Sequence, residues 1–381
     1  MTIFRKVFRY THFVLLSILL IVSSSLGSSF SVTPRIAGGG EHSIALKSDG
    51  TVWTWGRNDN GQLGNGTTAS SETPVQVQNL TDVIAVAGGY EHTIALKSDG
   101  TVWTWGSNYR EQFKIPVQVK NLTGIIDIAG GGTHSIALKS DGTVWAWGMG
   151  GSGQLGNGTT SSRSPRETPV QVKNLTDVIA VAGGYGHTIA LKNDGTVWTW
   201  GRNDNGQLGN GTTASSKTPV QVKNLTDVIA VAGGWWHSIA LKSDGTVWTW
   251  GKNGRGQLGN GKSKDSTVPV QVKNLTGIIG ISGGSSHTVA LNKNGVVYQW
   301  GINFSGLWGE GYNSKPVRVR KLANIVSVVE GGAHKIALEK NGVVWTWGVG
   351  NIGQLGHPEG KIGRLIPAPI DNFSLIVQVK N

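Results

Sequence analysis

Short apolar runs separated by glycine-rich and polar segments recur along most of the chain. One such unit begins at residue 219 and has the sequence PVQVKNLTDVIAVAGGWWHSIALKSDGTVWTWGKNGRGQLGNG. The segments PVQV, DVIAVA, HSIALK and TVWTWG predict four strands. The SDG between two of them is typical of a hairpin turn, because Asp and Gly tolerate positive φ. No stretch has the periodicity of an amphipathic helix, so the pattern predicts an all-β chain.

The pattern G-G-x-x-H-[ST]-I-A-L-K marks seven units. Their histidines follow one another at intervals of 42 to 53 residues and are His42, His92, His134, His187, His237, His287 and His334. Repeats of this length indicate a propeller or a solenoid. Four antiparallel strands in each of seven units predict a seven-bladed β-propeller.

Paired aromatic residues recur in the third strand of each unit. Trp248 and Trp250 are two positions apart, so both side chains point to the same face of the strand. A single four-stranded sheet cannot bury such a face, whereas stacking on a neighbouring blade can. Both tryptophans of each pair are therefore expected in the core.

The two ends of the chain suggest how the ring closes. The first unit begins late, at TPRIAGGGEH, and the chain finishes with IPAPIDNFSLIVQVKN. These ends predict a blade assembled from N- and C-terminal strands, which would remove the open edges of the ring.

The segment before residue 28 differs from the repeats. Three basic residues precede an apolar run of ten, and Ser25-Leu26-Gly27 resembles a cleavage site. This layout predicts a secretory signal peptide over 1–27 and a single propeller domain over 28–381. The expected location is secreted or at the cell surface of a bacterium, with an uncleaved membrane anchor as the alternative.

Composition and charge narrow the functional classes. The chain has 58 glycines, 16 tryptophans and no cysteine, which excludes disulfides. The formal net charge is +12, and +9 without residues 1–27. Most lysines recur at fixed repeat positions, so a solvated surface is expected rather than a nucleic-acid site.

Three motifs suggest ligands and are explained by the repeat. GQLGNGKS at 256–263 fits a P-loop, and GMGGSG at 148–153 fits a dinucleotide loop, yet both are copies of a repeated loop and neither precedes a helix. Histidines one blade apart cannot converge on one metal ion, so each is expected to bond backbone in its own blade. No nucleotide, cofactor, metal site or catalytic group is predicted.

The units resemble the regulator of chromosome condensation repeat family. The resemblance rests on G-x-x-H-[ST]-x-A-L, D-G-x-[VL]-[WY]-x-W-G and N-x-x-G-Q-L-G, covers residues 36 to 378, and implies a seven-bladed propeller. The strands are also similar to those of secreted β-lactamase inhibitory propellers. Fold alone does not fix activity.

Two sets of loops, G-G-x-x-H and W-G-x-N-x-x, are expected at one end and carry most of the variation between units. Tyr, Trp and Arg are enriched in protein-binding hot spots. The candidate partner-binding residues are Tyr90, Tyr109, Arg110, Tyr185, Arg202, Trp235, Trp236, Arg255 and Phe304.

These residues favour a secreted, non-enzymatic module that binds a protein partner, itself secreted or on a cell surface. The aromatic side chains could instead bind carbohydrate or the cell wall, or pack on neighbouring loops. The family resemblance implies guanine-nucleotide exchange as a further alternative. Family members with that activity insert an extra hairpin into the ring, and this sequence has no such insertion.

Overall fold

The computed structural model describes residues 31–107, 111–160, 166–302, 311–358 and 363–377. Within these ranges the chain forms seven four-stranded antiparallel sheets arranged as the blades of a propeller. The all-β, seven-bladed prediction is confirmed. None of the described residues belongs to a helix that is long and apolar enough to cross a membrane.

Each blade is one continuous stretch of sequence. Blades 1 and 2 contain β1 (Arg35–Gly38), β2 (His42–Leu46), β3 (Val52–Gly56), β4 (Ser71–Gln76), β5 (Val83–Gly88), β6 (His92–Lys97), β7 (Val102–Ser107) and β8 (Gln112–Gln118). Blades 3 and 4 contain β9 (Ile125–Gly130), β10 (His134–Lys139), β11 (Val144–Gly148), β12 (Arg166–Gln171), β13 (Val178–Gly183), β14 (His187–Lys192), β15 (Val197–Gly201) and β16 (Ser216–Gln221). Blades 5 to 7 contain β17 (Val228–Gly233), β18 (His237–Lys242), β19 (Val247–Gly251), β20 (Ser266–Gln271), β21 (Ile278–Gly283), β22 (His287–Asn292), β23 (Val297–Ile302), β24 (Tyr312–Arg318), β25 (Ile325–Glu330), β26 (His334–Glu339), β27 (Val343–Gly348) and β28 (Arg364–Ser374).

The turns inside a blade follow from local chemistry. In blade 5 the carboxylate of Asp244 accepts hydrogen bonds from the backbone N–H and the hydroxyl of Thr246, at 2.9 and 2.7 Å. Gly245 has φ +78°, a left-handed conformation that glycine adopts without steric cost. The turn sets the register of the hairpin, in which Leu241 lies opposite Val247.

The hydrophobic core lies between blades. In one cluster, Ile239 and Leu241 of blade 5 pack with Ile278 and Trp300 of blade 6. The second tryptophan of the repeated pair is fully buried, as in Trp250. The first tryptophan is only half-buried, so its assignment to the core is wrong in part: Lys47 Nζ lies 4.2 Å from the ring centroid of Trp53 and covers its outer face.

The prediction of a mixed closing blade is wrong. Strands β1 to β4 form blade 1 and strands β25 to β28 form blade 7, so no sheet contains strands from both ends. The ring closes because β1 packs on β25 and β26. The C-terminal segment adds a hydrogen bond from the Ser48 N–H to the Leu375 carbonyl at 2.9 Å.

Backbone hydrogen bonds join every neighbouring pair of blades around the centre. The Gly40 N–H donates to the Gly89 carbonyl, and equivalent bonds of 2.9 to 3.2 Å follow at each later interface. The last is donated by Gly332 of blade 7 to carbonyls of Gly39 and Gly40 in blade 1. At the same level Gly88 lies so close to the next strand that a Cβ atom would be 2.5 Å from the Gly38 oxygen. The repeated glycines thus allow the inner strands to approach one another.

The repeated histidines link blades rather than bonding within them, so that prediction is also wrong. His237 Nε2 of blade 5 lies 2.9 Å from Thr288 Oγ1 of blade 6. The Thr288 hydroxyl donates at 3.0 Å to the carbonyl of Gln257, which belongs to the GQLG loop of blade 5. Since the hydroxyl proton is used there, the hydroxyl oxygen must accept from a protonated Nε2. The histidine is therefore a neutral ring with its proton on Nε2.

The same histidine–hydroxyl–carbonyl relay is complete at five of the seven interfaces. Its members in the other four are His42–Thr93–Gln62, His134–Thr188–Gln154, His187–Ser238–Gln207 and His334–Ser43–Gln354. Between blades 2 and 3, His92 bonds Ser135 at 3.0 Å. Burial lowers the pKa of His92 to about 4 and that of the five relay histidines to about 3.

Removing one hydroxyl tests the relay. Ser238→Ala leaves the N–H of His187 buried without its acceptor, and we expect a loss of about 1–3 kcal/mol in the free energy of unfolding. Ser238→Thr is the matched control, because Thr occupies this position in three other blades. Urea unfolding measures both. Equal stability of the two variants would contradict the relay.

The buried histidines also predict acid sensitivity. Their pKa values are near 3 or 4 in the fold and near 6.5 in the unfolded chain, so stability is complete above pH 6.5 and falls as pH decreases below it. Six such groups lower the free energy of unfolding by about 8 kcal/mol per pH unit. Asp127 and Glu330, whose pKa values burial raises, oppose this trend but are outnumbered. We expect the melting temperature to collapse between pH 6.5 and 5, and a flat profile there would contradict the assignment.

Candidate interface at the loop-bearing end

The loops after the first and third strands of each blade lie at the same end of the ring. In blade 5 the Lys252 N–H donates to the Trp236 carbonyl at 2.9 Å, and in blade 4 the Arg202 N–H donates to the Gly186 carbonyl at 2.8 Å. These bonds tie each G-G-x-x-H loop to the W-G-x-N loop of its own blade. The end with the variable loops is therefore where the sequence predicted it.

Four predicted aromatic residues from three blades meet at the centre of this end. The ring centroid of Trp235 lies 5.3 Å from that of Tyr90 and 5.4 Å from that of Tyr185. Tyr185 also contacts Trp236 at 5.2 Å and Tyr90 at 6.0 Å. All four side chains are half-buried. They form what we call the aromatic cluster, defined as Tyr90, Tyr185, Trp235 and Trp236.

Glycines in other blades make room for the aromatic cluster. A Cβ atom on Gly40 of blade 1 would be 2.5 Å from the Tyr90 ring, and one on Gly132 of blade 3 would be 2.5 Å from the Tyr185 ring. The side chains therefore extend across neighbouring blades. Tyr90 and Trp235 also line a central cavity of about 360 Å³, whose wall is formed by the inner strands and their glycines.

Two cations cover the outer edge of the cluster. The guanidinium of Arg202 lies 4.6 Å from the Trp236 ring centroid, and Lys252 Nζ lies 5.9 Å from it. Arg202 also pairs with Asp204 at 2.5 Å. Lys252 was missed by the sequence interpretation, although it follows the repeated W-G as Arg202 does. Cation–π contacts of this kind contribute about 0.5–1 kcal/mol at exposed sites.

The other predicted site residues are not part of this cluster. Arg255 is exposed on the β19–β20 loop of blade 5, and among the described residues its guanidinium does not lie over an aromatic ring as that of Arg202 does. Tyr109, Arg110 and Phe304 lie outside the described residues. The local-packing alternative holds to the extent that the four rings pack on one another, but each retains an exposed part.

The segment GQLGNGKS is a structural loop. The side chain of Asn253 donates to the carbonyls of Lys262 and Lys264 at 3.0 Å and so fills the loop interior. Strand β20 follows rather than a helix. Leu258, within the same segment, is fully buried. The geometry therefore offers no row of helix N–H groups to a phosphate.

One interface, between blades 6 and 7, is built differently from the others. Lys335 replaces the repeated Ser or Thr, and Glu330 replaces the repeated glycine. His287 Nε2 lies 2.5 Å from Glu330 Oε2, with both side chains buried. The Glu330 N–H donates to the Ser282 hydroxyl at 3.0 Å. The carboxylate thus takes the role that a hydroxyl has at the other interfaces.

Burial dominates the protonation of this cluster. It raises the pKa of Glu330 well above its usual range, against the positive charge of Lys335. It lowers the pKa of Lys335, against the negative charge of Glu330, and lowers that of His287 well below its usual range. Glu330 and Lys335 face each other in the β25–β26 register. The repeat pattern alone marks Glu330 as an exception but does not explain it.

Among the described residues no three His, Cys, Asp or Glu side chains are grouped so that they could hold a metal ion. What the described geometry does offer is a rigid ring of blades with a half-exposed aromatic and cationic surface at one end. These features define the class of the protein: it is a repeat propeller whose variable loops present side chains from several blades at one end.

The chain belongs to the RCC1-like domain family. The model of that family matches residues 21–271 and again 118–380. The resemblance seen in the repeat motifs is confirmed.

Curated relatives match only about half of the chain. The chain is 33% identical over 176 residues to human E3 ubiquitin-protein ligase HERC2, which is 46% of this chain and 3% of that protein. It is 35% identical over 185 residues to the ultraviolet-B receptor UVR8 of Arabidopsis thaliana, 48% of this chain and 32% of that protein.

Solved structures show the same fold. Prp20p from Saccharomyces cerevisiae is 23% identical with a TM-score of 0.72, covering 84% of this chain and 85% of Prp20p. Human WBSCR16 is 21% identical with a TM-score of 0.76, covering 84% and 94%.

The interface between blades 6 and 7 makes a prediction of its own. Lys335→Ala leaves Glu330 and His287 buried without the cation, and we expect a loss of about 3 kcal/mol or more in the free energy of unfolding. The double variant Glu330→Gly, Lys335→Ser introduces the residues of the other units. It should recover wild-type stability or exceed it. Additive losses in a double-mutant cycle of Glu330→Gly, Lys335→Ser and their combination would show that the two positions are not coupled.

Proposed function

We propose that the chain is a secreted, non-enzymatic propeller that binds a protein partner through the aromatic cluster. The observation that carries the proposal is the meeting of Tyr90, Tyr185, Trp235 and Trp236 at one end of the ring, with Arg202 and Lys252 beside them. Aromatic and arginine side chains that are held rigid and partly exposed are the residue types on which protein interfaces depend most.

Family membership supports a binding role. Prp20p has been characterised for its binding to Gsp1p and histones, and yeast RCC1 has been crystallised bound to Kap60. Gsp1p, histones and Kap60 are partners of the yeast proteins. For this chain they support protein binding as the kind of activity, while its own loops determine the partner.

Export is part of the proposal. The basic start, the apolar run and the small residues before residue 28 support a signal peptide. Protease protection of the protein in intact cells, compared with the culture supernatant, tests this part independently of binding.

The aromatic cluster is tested with Trp235→Ser, Trp236→Ser. Unit six carries Ser285 and Ser286 at these positions, so the loop accepts serine. We expect partner capture from culture supernatant and cell-surface extract by the wild-type protein and at least a tenfold loss of affinity in the variant, because hot-spot residues contribute about 2 kcal/mol or more each. The melting temperature of the variant establishes that the fold is intact.

The matched control is Lys120→Gln, Lys173→Gln, which changes the opposite end of the ring. It should bind as the wild type does. Equal capture by all three proteins would refute the aromatic cluster as the site. Binding to a glycan array without any protein partner would favour the carbohydrate alternative instead.

A further inference from the structure

The end opposite the aromatic cluster differs from blade to blade in charge. There, blades 2, 4 and 5 pair their own lysines with aspartates: Lys97 with Asp82 at 3.9 Å, Lys192 with Asp177 at 3.8 Å, and Lys242 with Asp227 at 3.6 Å. Each aspartate lies in the connection that enters the blade. The positive charges of these blades are thus partly neutralised within the repeat.

Blades 6 and 7 carry neither partner of these ion pairs, because Asn292 and Glu339 stand at the positions of the paired lysines and a lysine follows one position further on. Gly277 and Asn324 stand where the connections of blades 2, 4 and 5 carry aspartate, and Asn294 and Asn341 replace the turn aspartate. The exposed cations of this region define the basic patch, which comprises Lys293, Arg318, Arg320, Lys321 and Lys340. None of the five forms a salt bridge with any residue in the described ranges.

Contacts between turns and connections make this patch continuous. The turn that holds Lys293 reaches the next connection, since a Cβ atom on Gly295 would be 3.2 Å from the Ile325 nitrogen. The Lys340 N–H donates to the Asn324 carbonyl of the same connection at 3.0 Å. Residues 293, 320–324 and 340 therefore share one surface across two blades.

Aliphatic side chains border the patch. Val326, which follows that connection, is 51% exposed, and Ile376 and Val377 are 44% and 39% exposed. The C-terminal segment adjoins the Lys340 turn, because the Leu375 N–H donates to the Gly342 carbonyl at 3.0 Å. Exposed aliphatic side chains next to unpaired cations form an amphipathic surface.

Nearby acids do not neutralise the patch. Glu339 accepts hydrogen bonds from the Trp345 indole at 3.0 Å and the Asn341 side chain at 3.2 Å, so its carboxylate is held against its own blade. Asp371 is exposed on β28. Two acids beside five cations leave a net positive field.

We propose that this end of blades 6 and 7 docks on an anionic lipid bilayer. Lysine and arginine side chains near an anionic leaflet each contribute about fivefold in affinity, and inserted aliphatic groups add to this. An end built from turns, with exposed aliphatic rather than aromatic side chains beside its cations, suits a bilayer better than a single-stranded nucleic acid, which would need a groove with stacking aromatics. The aromatic cluster at the opposite end would remain free for a protein partner, so this proposal stands without the proposed function.

The test is co-sedimentation of the full chain with vesicles of phosphatidylcholine that contain phosphatidylglycerol as the anionic lipid, and with vesicles of phosphatidylcholine alone. The variant Lys293→Ser, Arg320→Gln, Lys321→Asn, Lys340→Ser carries residues that other units have at these positions. The matched control Lys120→Gln, Lys173→Gln, Lys192→Asn, Lys223→Gln removes the same charge from blades 3 to 5, and Gln78 and Asn292 show that these residues are accepted at these positions in other units. The amino-terminal apolar segment is common to all three proteins.

We expect the wild type and the control to bind anionic vesicles, with weakening by salt, and the patch variant to bind at least tenfold less. Ile376→Ser should reduce binding without changing its salt dependence. Equal losses in variant and control would overturn the proposal, because charge alone would then matter and not its location. Binding to DNA or heparin with no preference for anionic vesicles would overturn it as well.

Discussion

The relay from a buried histidine through a neighbouring hydroxyl to a loop carbonyl is the interaction on which the ring depends. Hydrophobic contact between blades supplies most of the stabilisation, but it is not directional. Where it is complete, the relay adds a directional constraint on the angle between blades, because His237, Thr288 and Gln257 must satisfy one another away from water. It also gives the repeated GQLG loop a structural role, since its Gln carbonyl also accepts a hydrogen bond from the Trp300 indole of the next blade at 2.9 Å.

A constant scaffold leaves the two ends of the ring free to differ. The aromatic cluster arises in blades 2, 4 and 5, whereas the basic patch arises in blades 6 and 7. Tyr90, Tyr185 and Trp235 directly follow the paired glycines of their blades, so the close approach of the inner strands is kept there. The interface between blades 6 and 7 departs from this pattern, because Glu330, Lys335 and Ser282 all differ from the residues at these positions in the other units and lie close together. A buried charge is tolerated only when its partners are also present, so these positions behave as one unit.

Much of the fold could be predicted from the sequence, for a physical reason. Strand periodicity, Asp-Gly turns and the recurring interval between repeats are local signals, and they determined seven four-stranded blades. The meeting of the two loop sets at one end also followed, since antiparallel strands alternate in direction. Four residues, Tyr90, Tyr185, Trp235 and Trp236, could be proposed as site residues because their loop positions differ from unit to unit. The strand positions around them are nearly the same in every unit. Lys252 was overlooked because lysine recurs throughout the repeat.

Only the tertiary structure decided which residues meet across blades. The sequence by itself determined the blades, the repeated histidines and the variable loops. It could not show that His42 bonds Thr93 of the next blade, that the ring closes by packing rather than by a shared sheet, or that Tyr90 contacts Trp235. These partners lie at least one whole repeat apart, and spacing in the chain carries no information on the angle between blades. That angle is set by packing, by the close approach of the inner glycines and by the hydrogen bonds of the relay.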